Sequence, residues 1–360
     1  MNIALLGYGT VGKSVEELLT KQDIGIKIKK ILRRPGTAGE GPLMTETFEE
    51  ILEDPGISCI MEALPGRDPA LSYIRKALAA GKHVVTSNKA ALAADFPALL
   101  ALAQEHGVSL LYEASCGGGI PWLENIKKAA RLDRITGLSG ILNGTSNYIL
   151  DKMDRGGCTF EEALRDAQSL GYAEADPTAD IGGFDVCNKA IISCSLAYQT
   201  PVCTDFPVCG IEKLTKENLD CFHAKSKSLR LMMLSVQKGD CYAVGVAPVV
   251  LPSDSIEANV HLNYNCASLT GDLVGELKFY GQGAGGYPTA DAVLQDLLQI
   301  RNGTAGTVCL DRSLSYDAGL LTGTGYFSDG ATLPCRTLAE LAELAHDRNI
   351  FMAFEPDQRI

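Results

Sequence analysis

An aspartate and a lysine one helical turn apart, Asp185 and Lys189, are the residues whose types and spacing best suit chemistry. The positions after Lys189 are almost wholly apolar, which predicts that its ammonium group is held away from solvent. A lysine in an apolar environment that excludes water, with carboxylates nearby, can change protonation state near neutral pH, as proton transfer to a substrate oxygen requires. The alternative is an ordinary ion pair on an exposed helix face. Three carboxylates upstream, Glu174, Asp176 and Asp180, favour chemistry.

The composition is typical of a globular protein that acts on small molecules. A chain of 360 residues is long enough to bury the cores of two domains. Its formal net charge of −12 disfavours nucleic acid and anionic membrane surfaces, because both attract basic patches. No apolar stretch reaches the length of a membrane span, and the first residues lack the pattern of a secretory leader. We therefore expect a cytoplasmic protein with a small-molecule substrate.

Twelve cysteines are scattered along the chain, and none of them forms a CxxC pair. This scatter fits neither the spacing of zinc ligands nor the disulfide framework of a secreted domain. Several of the cysteines stand inside apolar runs. We expect reduced thiols that are mostly buried and that fill the core rather than act as nucleophiles.

A glycine-rich loop near the N-terminus predicts a dinucleotide site. An apolar strand over residues 3–6 leads directly into Gly7, Gly9, Thr10, Val11 and Gly12, and a helical pattern follows. The first glycine allows the tight turn, the second lets the backbone approach a pyrophosphate, and the third lets helix and strand pack closely. The position of this motif between a strand and a helix makes it more specific than the glycine spacing alone.

Strands and helices continue to alternate after this loop. The pattern predicts strands over residues 26–32, 57–63, 83–86 and 108–112, and helices over 69–80 and 91–105. Alternation at this spacing is typical of a doubly wound parallel sheet of the α/β class. A nucleotide would lie along the carboxyl edge of that sheet.

The second strand ends in two arginines, Arg33 and Arg34, where an NAD-binding unit usually has an acidic residue. Guanidinium groups at this point suit a 2′-phosphate, to which they can donate paired hydrogen bonds. We therefore expect NADP(H) to be preferred over NAD(H). The alternative is a pair of solvated surface arginines.

The pattern changes after residue 132. Helices are predicted over 147–154, 159–169 and 184–198, and strands over 134–143, 229–236, 242–250, 258–265 and 272–280. Consecutive strands without crossover helices indicate an antiparallel or mixed sheet, and hence an α+β substrate domain. A glycine cluster that includes Gly283 and Gly285 opens a helix over 288–301, and we expect it near the nucleotide, although it would equally serve as a plain hinge. The predicted domains are 1–132 for the nucleotide, 133–285 for substrate and dimerisation, and 286–360 for a return to the first domain and a tail.

Several motifs in order resemble the homoserine dehydrogenase family. Besides the glycine loop, they are SNKA at 87–90, EASCGGGIP at 113–121, NGTSNYIL at 143–150 and the segment 171–189. The resemblance covers most of residues 1–302. It implies a Rossmann-type domain with a second substrate and dimerisation domain, and an enzyme of threonine and methionine biosynthesis that interconverts aspartate 4-semialdehyde and homoserine with a nicotinamide cofactor. It also implies a homodimer.

The resemblance implies roles for particular residues. Lys189 matches the proton donor, and Asp185 matches the acid one turn before it. Lys89 matches a second lysine that lies between the nicotinamide and the substrate oxygen; its alternative is a surface lysine at a helix start. Reduction of an aldehyde leaves charge on the oxygen, which two lysines can stabilise and then protonate.

Further residues match the part of the family site that binds the amino acid. Glu174 matches the carboxylate that holds the amino-acid end of the substrate, and Asp180 matches a supporting acid. Gly144 and Thr145 match a loop close to the substrate. A substrate with an α-ammonium group calls for carboxylate partners, which Glu174 and Asp185 can supply.

A glycine-rich run resembles the family loop that binds a monovalent cation, sodium or potassium. The matching positions are Cys116, Gly118 and Ile120, with Glu113 able to complete the site. A glycine-rich turn exposes carbonyl oxygens, which hard cations prefer. A plain turn before a helix that begins with proline is an equal alternative.

Two rival functions stay open. One is an oxidoreductase acting on another small amino-aldehyde or hydroxy amino acid; the other is an NADP-binding regulator that has lost catalysis. The retained lysines and carboxylates argue against the second. The tail beyond residue 302 shows no match to the regulatory domain of some relatives, so we expect no strong feedback inhibition by threonine through such a domain.

Overall fold

The computed structural model of the protein describes residues 1–34, 36 and 43–358. The chain divides into two compact units: unit one is Met1–Glu124 with Ala284–Cys309, and unit two is Asn125–Gly283 with Leu310–Ile360. The prediction that the chain returns to the first domain is met only up to Cys309. The segment after it belongs to unit two, which corrects the expected third region of 286–360.

Unit one is built on a parallel sheet of six strands in the order β3-β2-β1-β4-β5-β6. The strands are β1 (Asn2–Leu6), β2 (Lys27–Leu32), β3 (Met44–Thr45), β4 (Cys59–Glu62), β5 (His83–Thr86) and β6 (Leu110–Leu111). The order runs outward in both directions from the β1–β4 pair, so the sheet is doubly wound as predicted. The central strand β1 is almost wholly buried, in keeping with its unbroken apolar run.

Among the described residues, five helices connect these strands: α1 (Thr10–Lys21), α2 (Phe48–Leu52), α3 (Ala70–Ala79), α4 (Lys89–Ala93) and α5 (Phe96–Glu105). The sequence predicted one helix over 91–105, but the structure has two. Pro97 stands in the first turn of α5 and explains the break, since proline lacks an N–H and disfavours helical geometry in the residue before it. A sixth helix, α6 (Trp122–Ala129), contains the boundary between the units.

Unit two contains a nine-stranded mixed sheet. Its first five strands are β7 (Ile135–Ile141), β8 (Lys227–Lys238), β9 (Cys241–Pro252), β10 (Tyr264–Gly271) and β11 (Gly275–Gln282), all paired antiparallel. Between β7 and β8 lie five helices: α7 (Gly144–Gly156), α8 (Phe160–Ser169), α9 (Thr178–Ile181), α10 (Phe184–Tyr198) and α11 (Lys216–His223). This is the predicted α+β arrangement.

The strand predicted over 258–265 is wrong. Residues Glu257–Asn259 form a short 3-10 helix, and β10 begins only at Tyr264. The side-chain amide of Asn147 donates to the carbonyl oxygens of Val260, Leu262 and Tyr264, which holds this segment as a loop. The next strand also starts later than predicted, because Asp133 accepts the main-chain N–H groups of the turn at 273–274.

Helix α12 (Gly286–Asn302) packs against α1 within unit one. The last segment forms β12 (Ser315–Tyr316), β13 (Thr322–Phe327), β14 (Thr332–Thr337), α13 (Leu338–Arg348) and β15 (Met352–Pro356), and joins the sheet of unit two through the parallel pairs β12–β9 and β15–β9. The sequence pattern predicts a helix over residues 338–347, which α13 confirms, but it predicted none of the strands β12–β15. In β13 the buried positions include Gly323 and Gly325, where side chains would collide with Phe354 and Leu341, so the strand lacks the usual apolar alternation.

All twelve cysteines are free thiols, as predicted. The expectation that most are buried is wrong: four are fully buried, five are partly buried and three are exposed. No helix within the described residues has the length and apolar character needed to cross a bilayer.

Candidate functional site

The glycine loop of unit one leaves space for a phosphate group. Gly7 has φ +99°, and a Cβ there would lie 2.6 Å from the carbonyl oxygen of Ala63. A Cβ on Gly12 would collide with the carbonyl oxygen of Gly7, whereas a Cβ on Gly9 would meet no described atom within 4 Å. Gly9 also precedes α1 and offers no side-chain cap to its first turn. The start of this 12-residue helix thus has no side-chain cap from Gly9 and has open space beside Gly9, a combination that suits an anion.

Arg33 lies beside this loop. Its guanidinium carbon is 5.4 Å from the centroid of the Tyr8 ring, and the ammonium of Lys13 is 5.9 Å from the same ring. The Tyr8 hydroxyl donates to the carboxylate of Glu16, and this hydrogen bond raises the pKa of Tyr8. The ring thus holds two cations at the carboxyl end of β2, while Arg34 is exposed. This grouping can bind a further phosphate.

A buried carboxylate organises the neighbouring edge of the sheet. Glu62 ends β4 and is fully buried; it accepts hydrogen bonds from Thr86 Oγ1, from the Leu64 N–H at 2.6 Å and from Asn88 Nδ2 at 3.4 Å. Burial raises its pKa, and these three donors oppose that effect. Asn88 in turn caps α4, whose first residue is the half-buried Lys89. The network therefore fixes the start of the helix that presents Lys89.

Lys189 and Asp185 form a buried ion pair in unit two. The Lys189 ammonium donates to Asp185 Oδ2 at 2.7 Å and to the main-chain carbonyl oxygen of Leu142 at 2.5 Å. Both residues lie in the first two turns of α10, and Lys189 is 7% exposed. The expected withdrawal of this lysine from solvent is confirmed. Because an ammonium has three N–H donors, these two partners leave one donor for a further acceptor.

Asp180 joins the same cluster through Asn143. Asn143 Nδ2 donates to Asp180 Oδ1 at 2.6 Å and to Asp185 Oδ2 at 2.8 Å. Burial raises the pKa of Asp180, and the charge of Asp185 raises it further; hydrogen bonds from Asn143 and Thr145 and the charge of Lys189 act in the opposite direction. Unit two thus brings one ammonium and two carboxylates together at the start of α7 and α10.

Two other predicted substrate residues, Gly144 and Thr145, lie in the first turn of α7. Gly144 begins the helix, and a Cβ there would lie 2.8 Å from the carbonyl oxygen of Asn263. The Thr145 hydroxyl donates to the Tyr172 carbonyl at 2.6 Å, which ties the segment before Asp180 to α7. Glu174 follows in this segment and is exposed.

The glycine-rich turn predicted to bind a cation precedes α6. Gly117 and Gly118 have φ +84° and +57°, and Cys116 and Ile120 are buried. The Glu113 carboxylate accepts the main-chain N–H groups of Leu123 at 3.0 Å and Glu124 at 2.8 Å, so it caps α6. The described residues contain no cluster of three histidine, cysteine or acidic side chains suited to a metal ion. A cation here would therefore depend on carbonyl oxygens together with Glu113.

The glycine cluster before α12 is divided between the units. Gly283 ends the second unit's middle segment, and a Cβ there would collide with the side chain of Asn265. Gly285 has φ +132° and precedes α12 in unit one. At the next residue, a Cβ on Gly286 would lie 2.6 Å from Ser14 Oγ of α1. Gly286 thus allows the close packing of α12 on α1.

Several participants in these networks were not predicted, among them Glu62, Asn143 and the carbonyl of Leu142. Glu62 stands at the end of a buried strand, which is a signal the sequence offered. Asn143 belongs to a motif quoted for the resemblance, but no role was assigned to it. The carbonyl of Leu142 had no signal in the sequence, because any residue provides a main-chain oxygen.

Comparisons with known proteins are consistent along most of the chain. The family profile "Homoserine dehydrogenase" matches residues 121–298, and "Homoserine dehydrogenase, NAD binding domain" matches residues 7–113. A homoserine dehydrogenase of Bacillus subtilis (strain 168) is 36% identical over 315 residues, covering 83% of this chain and 72% of the relative. A relative from Synechocystis sp. is 37% identical over 318 residues, covering 83% and 73%.

Solved structures agree with these relatives. A homoserine dehydrogenase from Thiobacillus denitrificans has a TM-score of 0.85 at 32% identity, covering 91% of this chain and 81% of the other. A hyperthermophilic archaeal homoserine dehydrogenase in complex with NADPH has a TM-score of 0.74 at 26% identity, covering 85% and 99%.

Proposed function

Because this chain belongs to the homoserine dehydrogenase family, we propose that it reduces L-aspartate 4-semialdehyde to L-homoserine with NADPH. It is an oxidoreductase that acts on the CH–OH group of homoserine and uses NAD(P). The observation that carries the proposed chemistry is the buried Lys189 ammonium, which has two fixed acceptors and one remaining donor.

The nucleotide loop and Arg33 support NADP(H) as the preferred cofactor. The open space at Gly9 and the uncapped start of α1 fit a pyrophosphate. Arg33, held over Tyr8, can donate hydrogen bonds to a 2′-phosphate, with Lys13 adding charge and Arg34 nearby in sequence. A bound NADPH supplies the hydride. Lys89 begins a helix at the carboxyl edge of the same sheet, and it is the second lysine of the proposed mechanism.

The acids of unit two bind the amino-acid end of the substrate in this proposal. The α-ammonium of the substrate requires carboxylate acceptors, and Asp180 and Asp185 already lie on a common donor, Asn143. Glu174 contributes a third carboxylate from the exposed segment upstream. Gly144 and Thr145 bring the main chain of α7 close to the same cluster.

Lys189 supplies the proton. As charge develops on the carbonyl oxygen, an ammonium held by the Leu142 carbonyl and by Asp185 can stabilise the oxygen and then donate to it. The same residue accepts the proton from the hydroxyl when homoserine is oxidised. A protein that only bound NADP would have no use for such a lysine. An enzyme acting on another amino-aldehyde would use the same residues and is separated only by assay.

A monovalent cation at the turn before α6 is a further part of the proposal. Its ligands would be Glu113 and the carbonyl oxygens of Cys116, Gly118 and Ile120. The two main-chain N–H groups that Glu113 accepts hold its carboxylate beside this turn. Activity measured with sodium, potassium or tetramethylammonium chloride tests this, and equal rates in all three would contradict it.

We also propose that the protein is a cytoplasmic homodimer. The edge strand β11 and the turn before it expose apolar side chains, with Leu273 72% and Tyr280 58% exposed. The opposite edge, β14, carries Pro334 and Arg336, which discourage pairing. A two-fold axis can pair β11 with its copy. Light scattering should give a dimer, and Tyr280→Lys should weaken it; a monomeric wild-type protein would refute the proposal.

The deciding experiment is a coupled assay. Aspartate 4-semialdehyde with NADPH should give rapid oxidation of the cofactor, and homoserine with NADP should give the reverse. A kcat/KM for NADPH well above that for NADH supports the cofactor assignment. Absence of turnover with this substrate, alongside turnover of another amino-aldehyde, would transfer the proposal to the rival substrate.

A further inference from the structure

Asn143 makes three side-chain hydrogen bonds, and they use both ends of its amide. Its Nδ2 donates to Asp180 Oδ1 at 2.6 Å and to Asp185 Oδ2 at 2.8 Å. Its Oδ1 accepts the main-chain N–H of Ser146 at 2.7 Å and caps α7. The residue is 4% exposed. Since the oxygen is committed to the helix, the amide cannot rotate and must direct its two N–H groups at the acids.

The residue also stands at the junction that holds Lys189. The carbonyl of Leu142, one residue earlier, accepts from the Lys189 ammonium, and Asp185 Oδ2 accepts from both Lys189 and Asn143. The main chain of Leu142 thus holds Lys189, and the side chain of the next residue, Asn143, holds the two acids. Neither the contact to Lys189 nor the contacts to the two acids follow from the helix-capping role of Asn143 alone.

We propose that Asn143 is a positioning residue that holds Asp180 and Asp185 together as carboxylates beside Lys189. The inference rests on the proposed function, in which these acids bind the substrate ammonium. Two like charges at one site disfavour double ionisation, and one neutral amide that donates to both offsets their repulsion. A further cation would also offset the repulsion between the acids, but it would favour the neutral form of the lysine. The uncharged amide does not.

The charges around Asp180 show what the amide opposes. Burial and the charge of Asp185 raise the pKa of Asp180, and the lowering contributions come from Asn143, Thr145 and Lys189, with that of Asn143 first among them. If the amide is removed, burial and the charge of Asp185 raise the pKa of Asp180 with less opposition. One acid should then become protonated at a higher pH and lose its ability to bind an ammonium group.

Two substitutions separate this role from helix capping. Serine and aspartate cap helices about as well as asparagine, so Asn143→Ser and Asn143→Asp keep the acceptor for Ser146. Serine has no group that spans both acids, and aspartate replaces the two donors by a third carboxylate. A matched control is Asn147→Ser, which removes another buried amide of α7 that binds only loop carbonyls.

The measurement is the pH dependence of kcat/KM for the semialdehyde between pH 5.5 and 8.5, on variants whose folding is checked by circular dichroism. We expect Asn143→Ser to move the acid limb upward by about one pH unit, which lowers kcat/KM about tenfold at pH values well below the limb, and Asn143→Asp to move it further. Asn147→Ser should leave the limb unchanged even if it lowers the melting temperature. An acid limb identical to wild type in a folded Asn143→Ser or Asn143→Asp protein overturns the proposal. Failure of the proposed function is distinct, since the wild-type protein would then show no turnover at any pH.

Discussion

Replacing Lys189 by methionine removes the proposed proton donor while keeping a side chain of similar length. The change deletes the hydrogen bonds to Asp185 Oδ2 and to the Leu142 carbonyl, both inside a site where the lysine and aspartate side chains are 9% and 6% exposed. Loss of a positioned acid lowers kcat by about 10²–10⁴-fold. We expect a fall in that range for reduction of the semialdehyde, with NADPH binding retained.

The same change should lower stability, and the structure limits by how much. Removing one partner of a buried pair costs about 3–5 kcal/mol, because the other charge is left uncompensated. Here Asp185 keeps the hydrogen bond from Asn143, so we expect a loss toward the lower end of that range. The double variant Lys189→Met/Asp185→Asn also removes the charge that lost its direct partner, although Asp180 stays in the cluster, and it should recover part of the stability but none of the activity.

The two effects are measured separately. NADPH oxidation is followed by absorbance, cofactor binding by fluorescence titration, and the free energy of unfolding by urea denaturation. A folded Lys189→Met protein with more than a tenth of the wild-type kcat would refute the assignment of Lys189 as proton donor. Recovery of activity in the double variant would show that the single change acted only through stability.

Three further results are expected. Gly9→Ala should leave the melting temperature unchanged but weaken NADPH binding at least tenfold, because its Cβ would enter the space left for phosphate. Gly12→Ala should destabilise the fold, because its Cβ would collide with Gly7. Equal melting temperatures of the two variants would contradict this. Arg33→Ala should raise KM for NADPH by about tenfold and leave KM for NADH nearly unchanged, and an equal change in both would identify Arg33 as a general structural residue. The folded-state pKa of Asp180 is raised, so its carboxyl favours the native state when protonated, and stability falls as pH rises from about 4 through that raised value. Asp180→Asn should therefore be more stable than wild type at neutral pH, with the difference closing toward pH 4 in urea unfolding, and a lower stability at neutral pH would refute the argument.

The fold class could be predicted because the local pattern of apolar residues already shows which strands and helix faces are buried in the tertiary structure. In unit one, β1 contains a short apolar run and α1 has one apolar face, and the alternation of such strands and helices indicates the parallel sheet directly. Prediction failed where a side chain distant in sequence decides the conformation. Asn147 turns the segment at 260–264 into a loop, and the glycines of β13 accept Leu341 and Phe354.

The sequence by itself determined the chemistry available to this protein: the glycine loop, the arginine after β2, and the spacing of Asp185 and Lys189 that sets them on one side of a helix. Local spacing is enough for these features, because residues four apart on a helix meet wherever the helix packs. Only the tertiary structure decided that the lysine ammonium rests on the carbonyl of residue 142 and that one amide joins two acids 37 and 42 residues away. Main-chain oxygens carry no sequence signal, and a buried polar group takes its partners from whichever elements the core brings beside it.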